Sequence, residues 1–226
     1  MGHAASIHCA MAAQSASHGA RLRLVRGDQD PQRPNRLGPT AELGSAQLVS
    51  LARENDLLAF EVLYRRHAAF AMNLAVRIQG NATDVEDVVH DAFLRAHARL
   101  DELRDPDAFR AWLGAIVVRL VRTRLRRRRL LRSVGLGAAD SVELDSIASH
   151  EASPEIRAQL AQVYALLRTV APDDRIAWTL RHLEHHRLET VAELCSCSLA
   201  TAKRRIHRAH KFLQEHFVTP FVEEPA

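Results

Sequence analysis

Aromatic side chains supply only 5% of this chain, with two tryptophans, two tyrosines and seven phenylalanines. The apolar content is therefore mostly Ala, Leu and Val, a balance that suits helices and leaves few bulky core residues. Cysteine is scarce as well. Cys9, Cys195 and Cys197 are too few and too close for a disulfide framework, and a reducing cytoplasm is the expected compartment. No run of eighteen apolar residues occurs, so nothing is expected to span a membrane. The N-terminus has no charged start followed by an uninterrupted apolar core, and no secretory signal is read there. Convincing strand alternation, solenoid repeats and a phosphate-binding glycine loop are missing too.

Net charge is small, because 31 Lys and Arg face 27 Asp and Glu. Its distribution is not even. Ten arginines lie between Arg104 and Arg132, against only Asp105 and Asp107. Arg119, Arg122, Arg124, Arg126, Arg127, Arg128, Arg129 and Arg132 have no carboxylate at i±3 or i±4, so their repulsion calls for phosphates. The opposite sign gathers at Asp84, Glu86, Asp87 and Asp91. Negative charge suits a helix N-terminus, yet four carboxylates exceed what capping needs. Asp84, Asp87 and Asp91 fall on nearly one face, suited to a basic protein partner.

Periodicity divides the chain. Residues 1–44 show no sustained period and are expected to form a disordered leader. Leu48, Leu51 and Ala52 open a short helix; Leu57, Phe60, Leu63, Tyr64, His67, Phe70, Ala71, Leu74 and Ile78 then form an apolar stripe ended by Gly80-Asn81. A third helix is predicted from about Asp84 to Leu100. Asp105-Pro106 caps a long fourth helix that buries Phe109, Leu113, Ile116, Val117 and Leu120 and runs into the arginine cluster. Phe109 and Trp112, the aromatics of this stretch, both read as core. Residues 133–153 lose the period and read as a flexible linker. Helicity resumes at Ser153-Pro154-Glu155 and again at Pro172-Asp173-Asp174. The fold class expected is all-α, with two small helical domains at 45–132 and 154–216 and a tail at 217–226.

Within the second domain, LETVAELCSCSLATAKRRIHRAHK (188–211) reads as a helix-turn-helix. Val191, Ala192 and Leu194 give the first helix its apolar side. Ser196-Cys197 makes the turn, and Ser198 is placed as an N-cap. Leu199, Ala202, Ile206 and Ala209 then recur at helical spacing, leaving Lys203, Arg204, Arg205, His207 and Arg208 on other faces. Such a second helix can enter a major groove.

Taken in order, AFEVLYRRHA (59–68), DVEDVVHDAFLRAH (84–97), FRAWLGAIVVRLVRTRLRRRR (109–129) and SLATAKRRIHRAH (198–210) resemble the signatures of bacterial sigma factors of the extracytoplasmic-function (ECF) group, which keep only regions two and four of the sigma-70 family. The resemblance implies a non-enzymatic, promoter-directing subunit without a cofactor. Its implied partners are core RNA polymerase (the β′ clamp helices and the β subunit), promoter DNA and, in some members, an anti-sigma factor. It implies that Asp84, Asp87 and Asp91 face the clamp helices. It assigns the minus-10 element, with an unstacked non-template base, to a surface with Arg104, Arg110, Arg119, Arg122 and Arg126. The minus-35 duplex falls to Ser198, Ala200, Thr201, Lys203, Arg204 and Arg208.

Two departures from the family pattern stand out. His185-His186-Arg187 occupies the place of the usual Gly-Leu-Ser before the helix-turn-helix, and Ser196 replaces the turn glycine. Other readings account for less of the chain. A helix-turn-helix regulator that binds duplex DNA alone would leave 84–129 unexplained. A metal or thiol sensor would use Cys195, Cys197 and nearby His182, His185 and His186, but the C-x-C spacing is not the usual zinc pair. A helical nuclease would need a second acidic cluster that the sequence lacks.

Overall fold

The protein is seen here as a computed structural model that describes residues 38–136 and 153–217. Among these residues there are eight α-helices and no strand: α1 (Ser45–Arg53), α2 (Leu57–Gln79), α3 (Val85–Ala98), α4 (Phe109–Ser133), α5 (Pro154–Leu167), α6 (Pro172–His182), α7 (Leu188–Leu194) and α8 (Leu199–His216). Most of the expected leader and linker, and nearly all of the tail, lie outside the described residues. At the edge of the leader, Gly38–Glu42 forms a 3-10 turn. Arg66 donates to the carbonyls of Ala41 and Leu43 beside it, at 3.2 and 2.9 Å.

Local chemistry explains where the helices start and stop. Asp56 Oδ1 accepts from the Leu58 and Ala59 amides and so caps α2. Gly80, at φ +73°, ends that helix in the left-handed conformation that glycine adopts without a Cβ penalty. Asp105 Oδ1 accepts from the Asp107 amide at 3.0 Å, but Pro106–Ala108 first makes a 3-10 turn before α4 begins. Ser153 caps α5, and Pro154 and Pro172 stand at the first positions of α5 and α6, where the missing N–H costs nothing.

The described residues form two compact units, 38–75 with 84–121, and 76–83 with 122–136 and 153–217. In the first unit the core is built from the small and branched side chains that composition predicted: Leu48, Val49, Leu63, Leu74, Val88, Ala92, Phe93, Phe109, Leu113 and Val117 are essentially excluded from solvent. His67 is buried with them against Phe109, ring centres 5.2 Å apart. Burial first, then Arg110 and Arg66, hold its imidazole below the usual histidine range. The sequence placed Trp112 and Ile116 in this core; both are in fact half-exposed. They sit one turn apart on α4, at the margin of its buried stripe.

The second unit has a core of Tyr164, Leu160, Leu167, Ile176, Trp178, Leu180, Val191, Ala202, Ala209 and Leu213. Tyr164 donates its hydroxyl to the Arg77 carbonyl at 3.0 Å, and Gly80 leaves room for that ring, since a Cβ there would lie 2.8 Å from Tyr164 Cδ1.

Both departures noted in the sequence become conformational costs. His185 (φ 55°) and Ser196 (φ 49°) hold left-handed backbones that an L-residue with a Cβ adopts at about 1–2 kcal/mol. Glycine would relieve this but adds freedom to the unfolded chain. Ser196→Gly and His185→Gly are therefore each expected to stabilise the second unit by about 0.5–1 kcal/mol. A denaturant midpoint that moved down on either substitution would remove this account of the turn.

Candidate nucleic-acid interface

The helix-turn-helix forms where it was expected. Val191, Ala192 and Leu194 of α7 are buried, and Cys195 closes that helix with its amide on the Val191 carbonyl. The Ser198 hydroxyl accepts from the Thr201 amide at 3.2 Å and shares a hydrogen bond with Thr201 Oγ1 at 2.9 Å. Arg204 Nη2 reaches the same Thr201 hydroxyl at 3.4 Å. Three of the predicted minus-35 residues are thus linked at the start of α8. Ala200, Lys203 and Arg204 are exposed, and so is His207 one turn further on. Buried Ala202, Ile206, Ala209 and Leu213 turn the opposite stripe inward.

Three details of α8 differ from the sequence reading. Leu199, which helical spacing groups with the apolar lining, is 38% exposed and lies on the same outward stripe as Lys203. Arg205, counted with the outward bases, is half-buried and donates to Asp173 Oδ2 at 2.8 Å. Arg208 is exposed but pairs through both Nε and Nη2 with Asp174, at 2.9 and 2.7 Å. Lys211, unremarked in the sequence, is exposed on the outward stripe. Its signal was available in the spacing from Lys203 and His207.

The arginine-rich part of α4 in this unit is not left unneutralised. Arg122 donates to the Cys195 carbonyl at 2.5 Å, and its Nε lies 3.3 Å from Asp173 Oδ1, near enough to attract though not aligned for a hydrogen bond. Arg126 donates to Asp173 Oδ2 at 2.8 Å. The carboxylate missing at i±3 and i±4 is thus supplied from the first turn of α6. Sequence spacing could not reveal it.

Cys195 is buried, and that burial pushes its thiol up to about 11, against the pull of Arg122. A thiol held protonated in this way is a poor nucleophile and a poor metal ligand. His182 stacks on His210 at 5.3 Å and packs against Trp178 at 4.9 Å. Among the described residues no group of three His, Cys, Asp or Glu side chains is arranged to hold a metal.

In the first unit, α3 begins at Val85 with Asp84 as its left-handed N-cap. Val85, Val88, Val89, Ala92, Phe93 and Ala96 are buried, which leaves Asp84, Asp87 and Asp91 on the opposite stripe. Asp84 and Asp87 are exposed and Asp91 is half-exposed. Leu94 continues that stripe and is 56% exposed. Tyr64 of α2, 39% exposed, packs on Phe93 at 4.6 Å. The acidic reading alone missed this exposed apolar side chain beside three carboxylates. It was visible as a leucine outside the buried spacing.

Between α3 and α4 the chain runs through two 3-10 turns, Leu100–Glu102 and Pro106–Ala108. Leu100 and Leu103 are buried, whereas Asp101, Glu102, Arg104 and Asp105 are exposed. Arg110 is exposed at the start of α4, its guanidinium carbon 4.3 Å from the Phe70 ring centre, a cation–π placement. Arg119 is exposed further along α4, on the stripe that carries half-exposed Trp112 and Ile116. Positive charge beside an accessible indole is the composition that holds unstacked bases.

Comparison with known proteins gives the family. The sigma-70 region 2 model matches residues 63–130, and the sigma-70 region 4 model matches residues 160–213. The chain is similar to the RNA polymerase sigma-H factor of Pseudomonas aeruginosa, 31% identical over 177 residues that cover 75% of this chain and 91% of the relative. It is similar to the ECF RNA polymerase sigma-E factor of Escherichia coli K12, 29% identical over 188 residues, 80% of this chain and 97% of the relative. Among solved structures it resembles CnrH, determined in complex with the cytosolic domain of CnrY, with a TM-score of 0.51 and 28% identity over 76% of this chain and 95% of that one. It shares its fold with the sigma factor RpoE of Bartonella quintana, solved with the anti-sigma factor NepR, at a TM-score of 0.54 and 23% identity, covering 69% and 94% of the two chains. Helices, order of motifs and relatives converge: the chain belongs to the sigma-70 family, as an ECF sigma factor that directs RNA polymerase to promoters.

Proposed function

We propose that this sigma factor works through three separate surfaces, none of them catalytic, in the cytoplasm. The α3 face of Asp84, Asp87, Asp91 and Leu94 grips the β′ clamp helices of core polymerase. Its support is complementary chemistry, carboxylates around an exposed leucine on a helix whose other side is fully buried. The loop at 99–105 with Arg104, Arg110 and Arg119 holds the minus-10 strand, Trp112 offering a stacking surface. Arg122 and Arg126, drawn to Asp173 in the second unit, are assigned no part in it. The start of α8 reads the minus-35 duplex. Domains at 45–132 and 154–216 carry these roles, and the linker at 133–153 lets both promoter elements be reached.

The outward stripe of α8 carries the reading furthest. Ala200, Lys203 and Arg204 stand exposed directly after a capped helix start in a helix-turn-helix. Lys203 and Arg204 suit guanine O6 and N7, Leu199 and Ala200 suit a thymine methyl, and Ser198 with Thr201 suit the phosphate. Arg204→Ala is expected to cost about 1–3 kcal/mol at one base pair and to relax preference there, as transcript mapping of the reconstituted holoenzyme would read out. An unaltered promoter profile would strike Arg204 from the readout set. The whole assignment is tested by adding the purified chain to core polymerase and a randomised template pool. Recovery of one shared two-part motif supports it; DNA coating without specific transcripts overturns it.

An anti-sigma partner is part of the proposal. CnrH is solved with CnrY and the Bartonella factor with NepR, and the exposed apolar residues of α2 and α3 offer a surface such a partner can cover.

A further inference from the structure

Helix α1 lies N-terminal to residues 63–130, the segment matched by the region 2 model. It nevertheless packs on both 3-10 turns of the loop between α3 and α4, Leu100–Glu102 and Pro106–Ala108. Leu48, Val49 and Ala52 are its buried side. Its last residue, half-buried Arg53, spends its guanidinium on that loop. Nε and Nη2 donate to the Leu100 carbonyl, each at 3.3 Å, and Nη2 also donates to the Leu103 carbonyl.

The consequence falls on Arg104. Its N-terminal neighbour Leu103 is buried by side chain and tied by carbonyl to Arg53. Its C-terminal neighbour Asp105 caps the Asp107 amide at 3.0 Å. Two residues earlier, Glu102 pairs with Arg99 at 2.5 Å. Arg104 is thus an exposed residue between two anchored neighbours, and its backbone has little freedom to drift. A loop of this length would otherwise sample many conformations, and presenting a single site to an extruded base would carry an entropic cost.

We propose that Arg53 is a positioning residue for minus-10 recognition: it fixes the 99–105 loop from a helix outside the segment matched by the region 2 model, so that the loop meets the unstacked base already in its binding shape. This rests on the reading of that loop as the minus-10 surface. Arg53 touches no DNA in this account; it acts through the Leu100 and Leu103 carbonyls. Lysine cannot replace it fully, because one ammonium does not reproduce a planar fork that spans two carbonyls.

The test uses holoenzyme reconstituted from core polymerase and the full chain. Its probe is a promoter selected by the wild-type holoenzyme from a randomised pool, together with single-base variants of its minus-10 element. Arg53→Met is expected to lower the matched-to-mismatched ratio in open-complex formation by about tenfold, the scale of a small misplacement at a recognition site. Core affinity and minus-35 duplex binding should stay within about twofold. Arg53→Lys should restore part of the ratio. Arg53→Met with Arg104→Ala should lose no more than Arg104→Ala alone, since both act through one loop. An unchanged ratio in Arg53→Met, while Arg104→Ala loses it, overturns the positioning role and leaves the minus-10 reading standing. A ratio that falls only in step with core affinity, with no rescue by lysine, overturns it as mere destabilisation. A loss in Arg53→Met with none in Arg104→Ala removes Arg104 from the site but supports the loop's positioning. No change in either variant overturns both.

Discussion

Reversing two charges on α3, Asp87→Arg with Asp91→Arg, is expected to weaken core polymerase binding by a hundredfold or more, about 2.7 kcal/mol. On the proposed docking, the substitution replaces two attractions by two repulsions against the basic partner that an acidic face calls for. Truncating one member of a desolvated interfacial charge pair already costs roughly 2–5 kcal/mol. The cost to folding should be much smaller. Asp87 stands in the first turn of α3, where its interaction with the helix dipole is worth roughly 0.3–1 kcal/mol. Asp91 is half-exposed and its reversal disturbs more of the surround, so Asp87→Arg alone is the cleaner single variant. Equilibrium titration of labelled core measures the effect, with a denaturation curve alongside. Full-strength core binding by the folded double variant would remove this face from the docking surface and leave the exposed Leu94 without an explanation.

How much of this was legible in the sequence depended on the distance over which each signal acts. Ser198, Ser153 and Asp105 cap within three residues, and Gly80 ends its helix by its own backbone freedom, so these boundaries could be read by eye. The buried stripe of α3 could be read for the same reason, because helical spacing is local. Arg205 could not. It faces Asp173 from 32 residues away, and nothing in KRRIHR distinguishes the one base turned inward from its neighbours. Arg53 was equally silent, a lone arginine at a helix end whose partners are main-chain carbonyls and so carry no residue type. His185 and Ser196 were noticed as missing glycines, but whether the chain would abandon the left-handed turn or pay for it in strain was a matter for the folded packing. Trp112 failed at the margin of a period: one step off the buried stripe is enough to expose half an indole.

Removing Asp173 should lower stability and raise non-specific DNA affinity together, a pairing that few substitutions produce. Asp173 accepts from Arg126 and Arg205 at 2.8 Å each and faces Arg122 at 3.3 Å. The side chains of Arg122, Arg205 and Asp173 are only 16–17% exposed, whereas Arg126 is 61% exposed. Asp173→Asn keeps the shape and deletes the charge. Two half-buried guanidiniums then lose their counter-ion, and α6 loses one of the two carboxylates in its first turn. Breaking a fully buried pair costs about 3–5 kcal/mol. Solvent screening at this partial exposure reduces that to about 2 kcal/mol, and added salt should reduce it further. Trp178, wholly buried in the same unit, reports the unfolding by its fluorescence in a Trp112→Phe background. The freed arginines have an alternative partner in phosphate. Duplex binding by the variant should therefore steepen in its dependence on salt, log affinity against log salt gaining about one to two in negative slope. If Asp173→Asn unfolds earlier with no change in that slope, the carboxylate is only structural. If neither quantity moves, Asp173 does not hold these arginines in solution, and the charge of α4 meets DNA without competition from within the protein.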